Sequence, residues 1–179
     1  MGLENICQTF QYSKKNTWDC RNSSSACQWE GVTCFNNSVV KLDFSSMNLY
    51  GILPPVIGLK FPNLTILNIS NNILLGTLPQ ELGRMNNLQI LNLTRNSLIG
   101  EIDVIENLTA LRIIDISDNF FDGSIPSFSD FKELKILKLN GNTLTGGFPK
   151  DLASLTSLEL LDLSDNLLSG PLYPDTLTD

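Results

Sequence analysis

The stretch that decides the fold is Leu64-Thr-Ile-Leu67-Asn-Ile69-Ser-Asn-Asn72-Ile-Leu74-Leu-Gly76-Thr-Leu78-Pro79, because it recurs along the chain. The segment Leu88-Gln-Ile-Leu91-Asn-Leu93-Thr-Arg-Asn96-Ser-Leu98-Ile-Gly100-Glu-Ile102 keeps the same aliphatic, asparagine and glycine positions. Copies begin at residues 39, 64, 88, 111, 134 and 158, so the period is 23 to 25 residues. A period of this length predicts a solenoid, in which each repeat buries its aliphatic side chains against its neighbours.

Each position of the repeat has a predicted role. The Leu-x-Leu segment alternates inward and outward, which predicts one short strand per copy and a parallel sheet across copies. The asparagine after each strand predicts a ladder of buried amides that satisfy backbone groups at a tight bend. This ladder consists of Asn72, Asn96, Asn119, Asn142 and Asn166, with Met47 in the first copy. Asp103 breaks the Gly-x-x-Pro pattern, and its copy is one residue short.

All four cysteines lie within the first 34 residues, at Cys7, Cys20, Cys27 and Cys34. Their spacings contain no Cys-x-x-Cys, so two disulfides are favoured over a zinc cluster. Three pairings are possible, and we favour Cys7 with Cys20 and Cys27 with Cys34 because these short loops would close a compact cap. Disulfides indicate an oxidising compartment. We expect a cysteine-containing cap over residues 1–38 and about six repeats over 39–179, the last one incomplete.

The composition excludes several classes of function. The chain has 179 residues, a formal net charge of -7 and no histidine. Without histidine there is no Ser/His or Cys/His nucleophile pair and no histidine zinc site. No basic cluster suits a nucleic acid, and no apolar run is long enough to span a membrane. We therefore expect no enzyme activity, no cofactor and no metal. The start of the chain has no signal-peptide pattern, which suggests a mature or trimmed chain.

The repeat resembles the plant-type leucine-rich repeat LxxLxxLxLxxNxLxGxIP, and Cys27-Gln-Trp29-Glu-Gly31-Val-Thr-Cys34 resembles the CxWxGVxC cap of that family. Together the two resemblances cover residues 27 to about 172. Cys7 and Trp18-Asp-Cys20 are similar to an extra cysteine pair of some receptor-like members. The resemblance implies an α/β repeat fold: a right-handed leucine-rich-repeat solenoid with a parallel concave β-sheet and a disulfide-bonded cap.

The resemblance also implies an extracellular or cell-surface protein of the apoplast. We expect the ectodomain of a receptor kinase or receptor-like protein, which binds a peptide, protein or glycan ligand, with a co-receptor as a further candidate partner. The alternative is a secreted inhibitor of a cell-wall-degrading enzyme such as polygalacturonase. A third class, a structural or designed scaffold, is disfavoured by the irregular period.

Three columns of side chains are expected to face outward from the strands. The polar column follows the second Leu and comprises Asp43, Asn68, Asn92, Asp115, Lys138 and Asp162. The hydroxyl column lies two residues further on and comprises Ser45, Ser70, Thr94, Ser117, Asn140 and Ser164. The apolar column comprises Ile66, Ile90, Ile113, Ile136 and Leu160. It either shields the edge of the core or offers a strip to a partner. The candidate binding residues are Asp115, Lys138, Asn140 and Asp162.

Six Asn-x-Ser/Thr sequons are candidate glycosylation sites, which also favours secretion. They lie at Asn22, Asn36, Asn63, Asn68, Asn92 and Asn107. Asn68 and Asn92 belong to the polar column in adjacent repeats. Glycans there would cover the early half of the inner face and direct recognition toward repeats four to six or toward a flank.

Overall fold

The computed structural model describes residues 11–12 and 27–170, and short β-strands dominate this part of the chain. The strands are β1 (Gln11–Tyr12), β2 (Val32–Phe35), β3 (Ser38–Asp43), β4 (Leu49–Ile52), β5 (Ile66–Asn68), β6 (Ile73–Gly76), β7 (Ile90–Asn92), β8 (Ser97–Gly100), β9 (Ile113–Asp115), β10 (Phe120–Phe121), β11 (Ile136–Lys138) and β12 (Leu160–Asp162). They form two sheets, which lie on different sides of one continuous core.

The larger sheet has the strand order β12-β11-β9-β7-β5-β3-β2. All neighbouring strands in it pair in parallel except β2 and β3. Equivalent positions of successive repeats pair directly, as Leu67 does with Leu91 and Leu91 with Ile114. These central residues are fully buried, because every second side chain of each strand points into the core. The predicted parallel sheet of one short strand per repeat is therefore confirmed.

A disulfide-bonded hairpin closes the N-terminal edge of the larger sheet. Strand β2 pairs antiparallel with β3, and Asn36 and Asn37 turn the chain between them with positive φ angles. Cys27 and Cys34 form a disulfide with a Cα–Cα distance of 5.7 Å, and Trp29 packs into the core from the enclosed loop. The predicted disulfide-bonded cap is present. The predicted Cys7–Cys20 pair and the Asn22 sequon lie outside the described residues.

The ladder asparagines connect adjacent repeats through their amide groups. The Asn72 Nδ2 donates to the carbonyl oxygens of Phe44, Ile69 and Ser70 at 2.8 to 3.1 Å. Its Oδ1 accepts from the backbone N–H groups of Met47 and Leu49. Asn96, Asn119 and Asn142 are also buried and bond in the same way, whereas Asn166 is half-buried. Each amide thus replaces water for backbone groups of two repeats.

The smaller sheet, with the order β1-β4-β6-β8-β10, was not predicted. Strands β4, β6, β8 and β10 pair in parallel, and β1 pairs antiparallel with β4. Strands β6, β8 and β10 each begin directly after a ladder asparagine. The ladder holds them in place, since the N–H of Leu74 donates to Asn96 Oδ1 and the N–H of Leu98 donates to Asn119 Oδ1. Sequence periodicity alone marked one strand per repeat and missed this second extended segment.

Short helices lie in the first, second, third and fifth repeats. Helix α1 (Val56–Lys60) is followed by 3₁₀ helices at Gln80–Arg84, Asp103–Asn107 and Lys150–Ser154. The departure at Asp103 starts one of these helices, and its Oδ1 accepts from the Val104 N–H. In the fourth repeat the buried Phe128 and Phe131 rings occupy the corresponding place and pack edge to face at 5.0 Å. Aromatic volume there takes the place of helical turns.

Candidate functional site

The strand face of the larger sheet brings the predicted polar column into one row. Asp43 pairs with Asn68, Asn68 with Asn92 and Asn92 with Asp115. Asp115 then pairs with Lys138, and Lys138 with Asp162. Neighbouring strands lie about 4.8 Å apart. Asp115, Lys138 and Asp162 therefore form a short row of alternating charge, negative, positive and negative.

Side-chain oxygens of the polar column bond to the backbone as each strand ends. The Asp115 Oδ1 accepts from the Ser117 N–H at 3.2 Å and from its hydroxyl at 2.6 Å. Asp162 Oδ1 makes the same two bonds with Ser164, and Asn68 Oδ1 accepts from the Ser70 N–H. One oxygen of each side chain thus stabilises the bend. Lys138 has no side-chain oxygen, so it cannot accept the hydrogen bond from the N–H two residues later that Asp115, Asp162 and Asn68 accept.

The expectation that the whole hydroxyl column faces outward is wrong for two residues. Ser70 and Ser117 are only 4% and 5% exposed. The Ser117 hydroxyl bonds to Asp115 Oδ1 and to the Thr94 hydroxyl at 2.7 Å. The Ser117 hydroxyl thus bonds within the bend, and neither serine presents much side-chain surface to a partner.

The apolar column also runs in register across the sheet. Ile66, Ile90, Ile113 and Ile136 pair in sequence and are half-buried, and Leu160 is 40% exposed. Lys41 takes this position in the first repeat. The column therefore covers the edge of the core and at the same time contributes apolar surface beside the polar column.

Ion pairs flank the strand starts near the charged row. Arg112 lies 3.5 Å from Glu133, and Lys135 lies 2.7 Å from Glu159. All four side chains are at least half exposed, so each pair contributes under about 1 kcal/mol to stability. At the opposite end a polar depression of about 360 Å³ is lined in part by Thr33, Lys41, Asp43 and Ser45.

Two carboxyl groups of the polar column titrate below the usual range. For Asp43, desolvation by burial raises the pKa, but the hydrogen bonds from Lys41 and Ser45 and the charge of Lys41 outweigh it and the pKa is lowered. For Asp162, the hydrogen bonds from Ser164 lower the pKa, and the charge of Lys138 adds to this effect. Both side chains are therefore carboxylates at neutral pH.

The lowered pKa of Asp43 predicts a specific acid sensitivity. A carboxyl whose pKa is depressed on folding stabilises the folded state above its unfolded pKa, and this contribution is lost as pH falls through the folded pKa. We expect Asp43→Asn to reduce the loss of unfolding free energy between about pH 5 and about pH 2.5. The amide keeps an acceptor for Ser45, as Asn68 does for Ser70. Urea unfolding across this range measures the effect.

The exposed Asp130 supplies the control for this prediction. Asp130→Asn should leave the pH dependence close to that of the wild type. Equal slopes for Asp43→Asn and the wild type would contradict the role assigned to Asp43.

The described sequons occupy three different environments. Asn36 lies in the hairpin turn of the cap, and Asn63 and Asn107 are exposed just before strand-bearing segments. Asn68 and Asn92 are half-buried in the polar column. The Asn68 Nδ2 donates to Asp43 Oδ1 at 3.0 Å.

Residues 27–170 contain no group of three or more Cys, Asp or Glu side chains that could hold a metal ion. Among the helices described here, none has the length and apolar character needed to cross a bilayer.

Comparison with known proteins places the repeats in a recognised family. Residues 125–168, 63–85 and 110–131 match leucine rich repeat families. The chain is 38% identical over 64 residues to the LRR receptor-like serine/threonine-protein kinase GSO2 of Arabidopsis thaliana, which is 36% of this chain and 5% of that protein. It is 39% identical over 66 residues to Receptor-like protein 35 of the same plant, which is 35% of this chain and 7% of that protein. The chain thus spans a small fraction of these relatives.

Several solved structures match over nearly the whole chain, including the following two. A chain in the crystal structure of the BIR3–SERK2 complex from Arabidopsis thaliana is 33% identical with a TM-score of 0.83, and the match covers 94% of both chains. A chain in the structure of the Arabidopsis receptor kinase HAESA with the peptide hormone IDA and the co-receptor SERK1 is 33% identical with a TM-score of 0.88. That match covers 98% of this chain and 30% of the other.

Proposed function

We propose that this chain, which belongs to the family of plant leucine-rich-repeat receptor ectodomains, is a non-catalytic recognition module of the apoplast that binds a peptide ligand together with a second ectodomain. The observation that carries the proposal is the strand face, where side chains of successive repeats stand in register beside an apolar strip. Variation in such a column changes the surface while the buried leucines keep the fold.

The size of the strand face favours a shared assembly over a simple pair. Six parallel strands at about 4.8 Å spacing and about four residues of width give a projected face on the order of 300 Å². A standard protein interface buries about 800 Å² per partner. An extended peptide fits the face, and a second protein would need a flank of the solenoid as well.

The related structures point to the same kinds of partner. The HAESA structure holds a peptide hormone and a co-receptor, and the BIR3–SERK2 structure is a complex of two proteins. The second of these matches this chain over 94% of both lengths. This similarity to a chain of a two-protein complex supports a co-receptor type of contact.

Within the face, we assign ligand contact to Asp115, Lys138, Asn140 and Asp162. Asp115 and Asp162 use one oxygen for the bend, so the second oxygen remains for a ligand. Lys138 lies between them and offers an ammonium group. Glycans at Asn68 and Asn92 would leave this later part of the face open. Peptide mapping that found both asparagines unmodified would contradict the proposed role of the glycans.

Binding to purified ectodomains tests the proposal. The panel consists of BIR3, SERK2 and HAESA, the last with and without the IDA peptide, and affinity is measured by biolayer interferometry. We expect Lys138→Gln with Asp162→Asn to weaken binding by at least about tenfold to any ectodomain of the panel that the wild type binds. The double variant removes two charged side chains with which the partner would form ion pairs. Asp162→Asn keeps the acceptor for Ser164, so the strand end should be preserved.

A matched variant separates the strand face from general charge effects. Lys60→Gln with Asp130→Asn removes one charge of each sign from exposed positions outside the strand face, and it should bind like the wild type. Equal affinity of both double variants would contradict the assigned residues. Failure to bind any member of the panel would contradict the co-receptor form of the proposal.

The inhibitor alternative finds no support among the proteins named above. They are a receptor kinase, a receptor-like protein and ectodomain complexes, and none is described as an inhibitor of a cell-wall-degrading enzyme.

A further inference from the structure

The smaller sheet carries a cluster of exposed apolar side chains that the proposed function does not use. We call it the second-sheet patch. Its residues are between 36% and 57% exposed, and they are Tyr50, Ile52, Ile73, Leu75, Ile99 and Phe120. Large apolar side chains exposed singly are ordinary, but a group of six on adjacent strands marks an interaction surface.

Strand register places the residues of the patch on one side of the smaller sheet. Tyr50 pairs with Ile73, Ile52 with Leu75, and Ile99 with Phe120. Directly paired residues of a parallel sheet lie on the same side of it. Between β6 and β8 the register pairs Leu75 with Ser97, so Ile99 lies two residues further along β8, diagonal to Leu75. The side chains between them, Leu49, Leu74, Leu98 and Phe121, are fully buried in the core. The outward position of the patch is thus fixed by the inward position of its neighbours.

The patch is free of charge, although the chain as a whole is acidic. Strands β4, β6, β8 and β10 contain no Asp, Glu, Lys or Arg. The formal net charge of the chain is -7. Exposed Glu101 and Asp122 directly follow β8 and β10, so negative charge begins at that end of the patch. Two copies of the acidic chain repel each other, and the repulsion is weaker between the four uncharged strands than between faces that carry acidic side chains.

None of the described sequons lies on these four strands. The acceptor asparagines at positions 36, 63, 68, 92 and 107 belong to the cap, the larger sheet or the segments that precede its strands. Glycosylation at any of them would leave the strands of the patch without an attached glycan. Protein contact at the patch is therefore compatible with full modification of the described sequons.

The exposed area is close to what a modest dimer requires. A fully exposed large side chain presents about 200 Å², so the six side chains present on the order of 500 Å². Two such patches together bury about 1,000 Å², which is the lower bound for a specific interface. Two sheet faces can also pack against each other in the aligned arrangement of β-sandwiches.

We propose that the second-sheet patch binds the same patch of a second copy of this chain, in a weak dimer with twofold symmetry. A twofold interface uses one surface on both partners and so requires a self-complementary patch, which an uncharged apolar sheet provides. The dimer leaves the strand face of the larger sheet uncovered, so it does not depend on the proposed ligand contacts.

Sedimentation velocity of the full chain tests the dimer over about 1 µM to about 1 mM protein, the range in which a modest interface saturates. The wild type should shift from monomer to dimer. Ile99→Lys and Ile99→Glu should each weaken the dimer by at least about 100-fold, because each buries an unpaired charge. Mixing the two variants should restore part of the association. Ile99→Thr keeps the branched β-carbon and should weaken the dimer about tenfold.

Phe35→Lys is the matched control, since Phe35 is 68% exposed but lies on the cap hairpin. It should dimerise like the wild type, and all variants should share the wild-type thermal unfolding midpoint. A wild type that stays monomeric across the range would overturn the proposal, including the case in which a different protein occupies the patch. Dimerisation that persists in a folded Ile99→Lys variant would also overturn it.

Discussion

Asn119→Ala is expected to lower the free energy of unfolding by about 4 kcal/mol. The Asn119 Nδ2 donates to the carbonyl oxygens of Leu93, Ile116 and Ser117, and its Oδ1 accepts from the Leu98 N–H. The side chain is 5% exposed, so water cannot easily replace these bonds. Alanine leaves buried backbone groups of two repeats without partners, and each costs about 1–3 kcal/mol. Urea unfolding followed by circular dichroism measures the loss.

Asn140→Ala is the control for the ladder prediction. Asn140 is the same residue type two positions before a ladder asparagine, but it is half-buried instead of buried. We expect a change within about 0.5 kcal/mol, as for an ordinary surface substitution. Similar losses at Asn119 and Asn140 would show that the ladder is not the source of the stability.

Gly58→Ala is expected to destabilise the fold by about 3 kcal/mol, although helix propensity predicts the opposite sign. Gly58 is buried within α1, where alanine is ordinarily better than glycine by about 1 kcal/mol. Here an added Cβ would overlap the Glu81 carbonyl oxygen of the next repeat and lie 2.8 Å from the Leu82 nitrogen. Backbone atoms cannot swing aside, so the two turns must move apart. Thermal and urea unfolding measure the effect.

The equivalent glycine of the next repeat provides the comparison. An added Cβ at Gly83 would meet the Asn107 Nδ2 at 3.2 Å and the Val104 Cγ2 at 3.3 Å, and both atoms belong to side chains. Gly83→Ala should therefore change stability by less than about 1 kcal/mol in either direction. Stabilisation by Gly58→Ala would refute the close contact between the two turns.

The repeat itself could be predicted because its period acts through short-range rules. Leucines at alternating positions define a strand, and equal spacing places equivalent strands side by side, as the pairing of Leu67 with Leu91 shows. The cap was predictable for a similar reason, since Cys27 and Cys34 are close in sequence and enclose a recognisable motif. In both cases the information lies within one repeat length.

Contacts between repeats were harder to predict. The smaller sheet arises because ladder amides hold the backbone of the preceding repeat, as Asn96 holds Leu74. The burial of Ser117 depends on its bonds to Asp115 and Thr94. Neither feature follows from a hydrophobic period. A sequence signal for the smaller sheet did exist, in the outward aliphatic and aromatic residues that follow the ladder at Ile73, Ile99 and Phe120.

The alignment of the polar column could be predicted from the sequence, but the hydrogen bonds of its side chains could not. The strand register brings Asp115, Lys138 and Asp162 together as the repeat pattern implied. The sequence did not reveal that each aspartate already uses one oxygen to end its strand. Lys138 is therefore stronger evidence for a binding role than the aspartates are. Its side chain cannot make the bond that ends the strand, and its charge is available to a ligand.

The bonding of each ladder amide across two turns also determines how the molecule responds to force. The Asn142 Nδ2 donates to the Ile116 carbonyl as well as to its own turn, so detaching one turn strips partners from its neighbour. A pull along the solenoid axis is thereby resisted by coupled junctions instead of independent ones. We therefore expect the solenoid to yield to tension in large cooperative steps and to remain intact below that threshold.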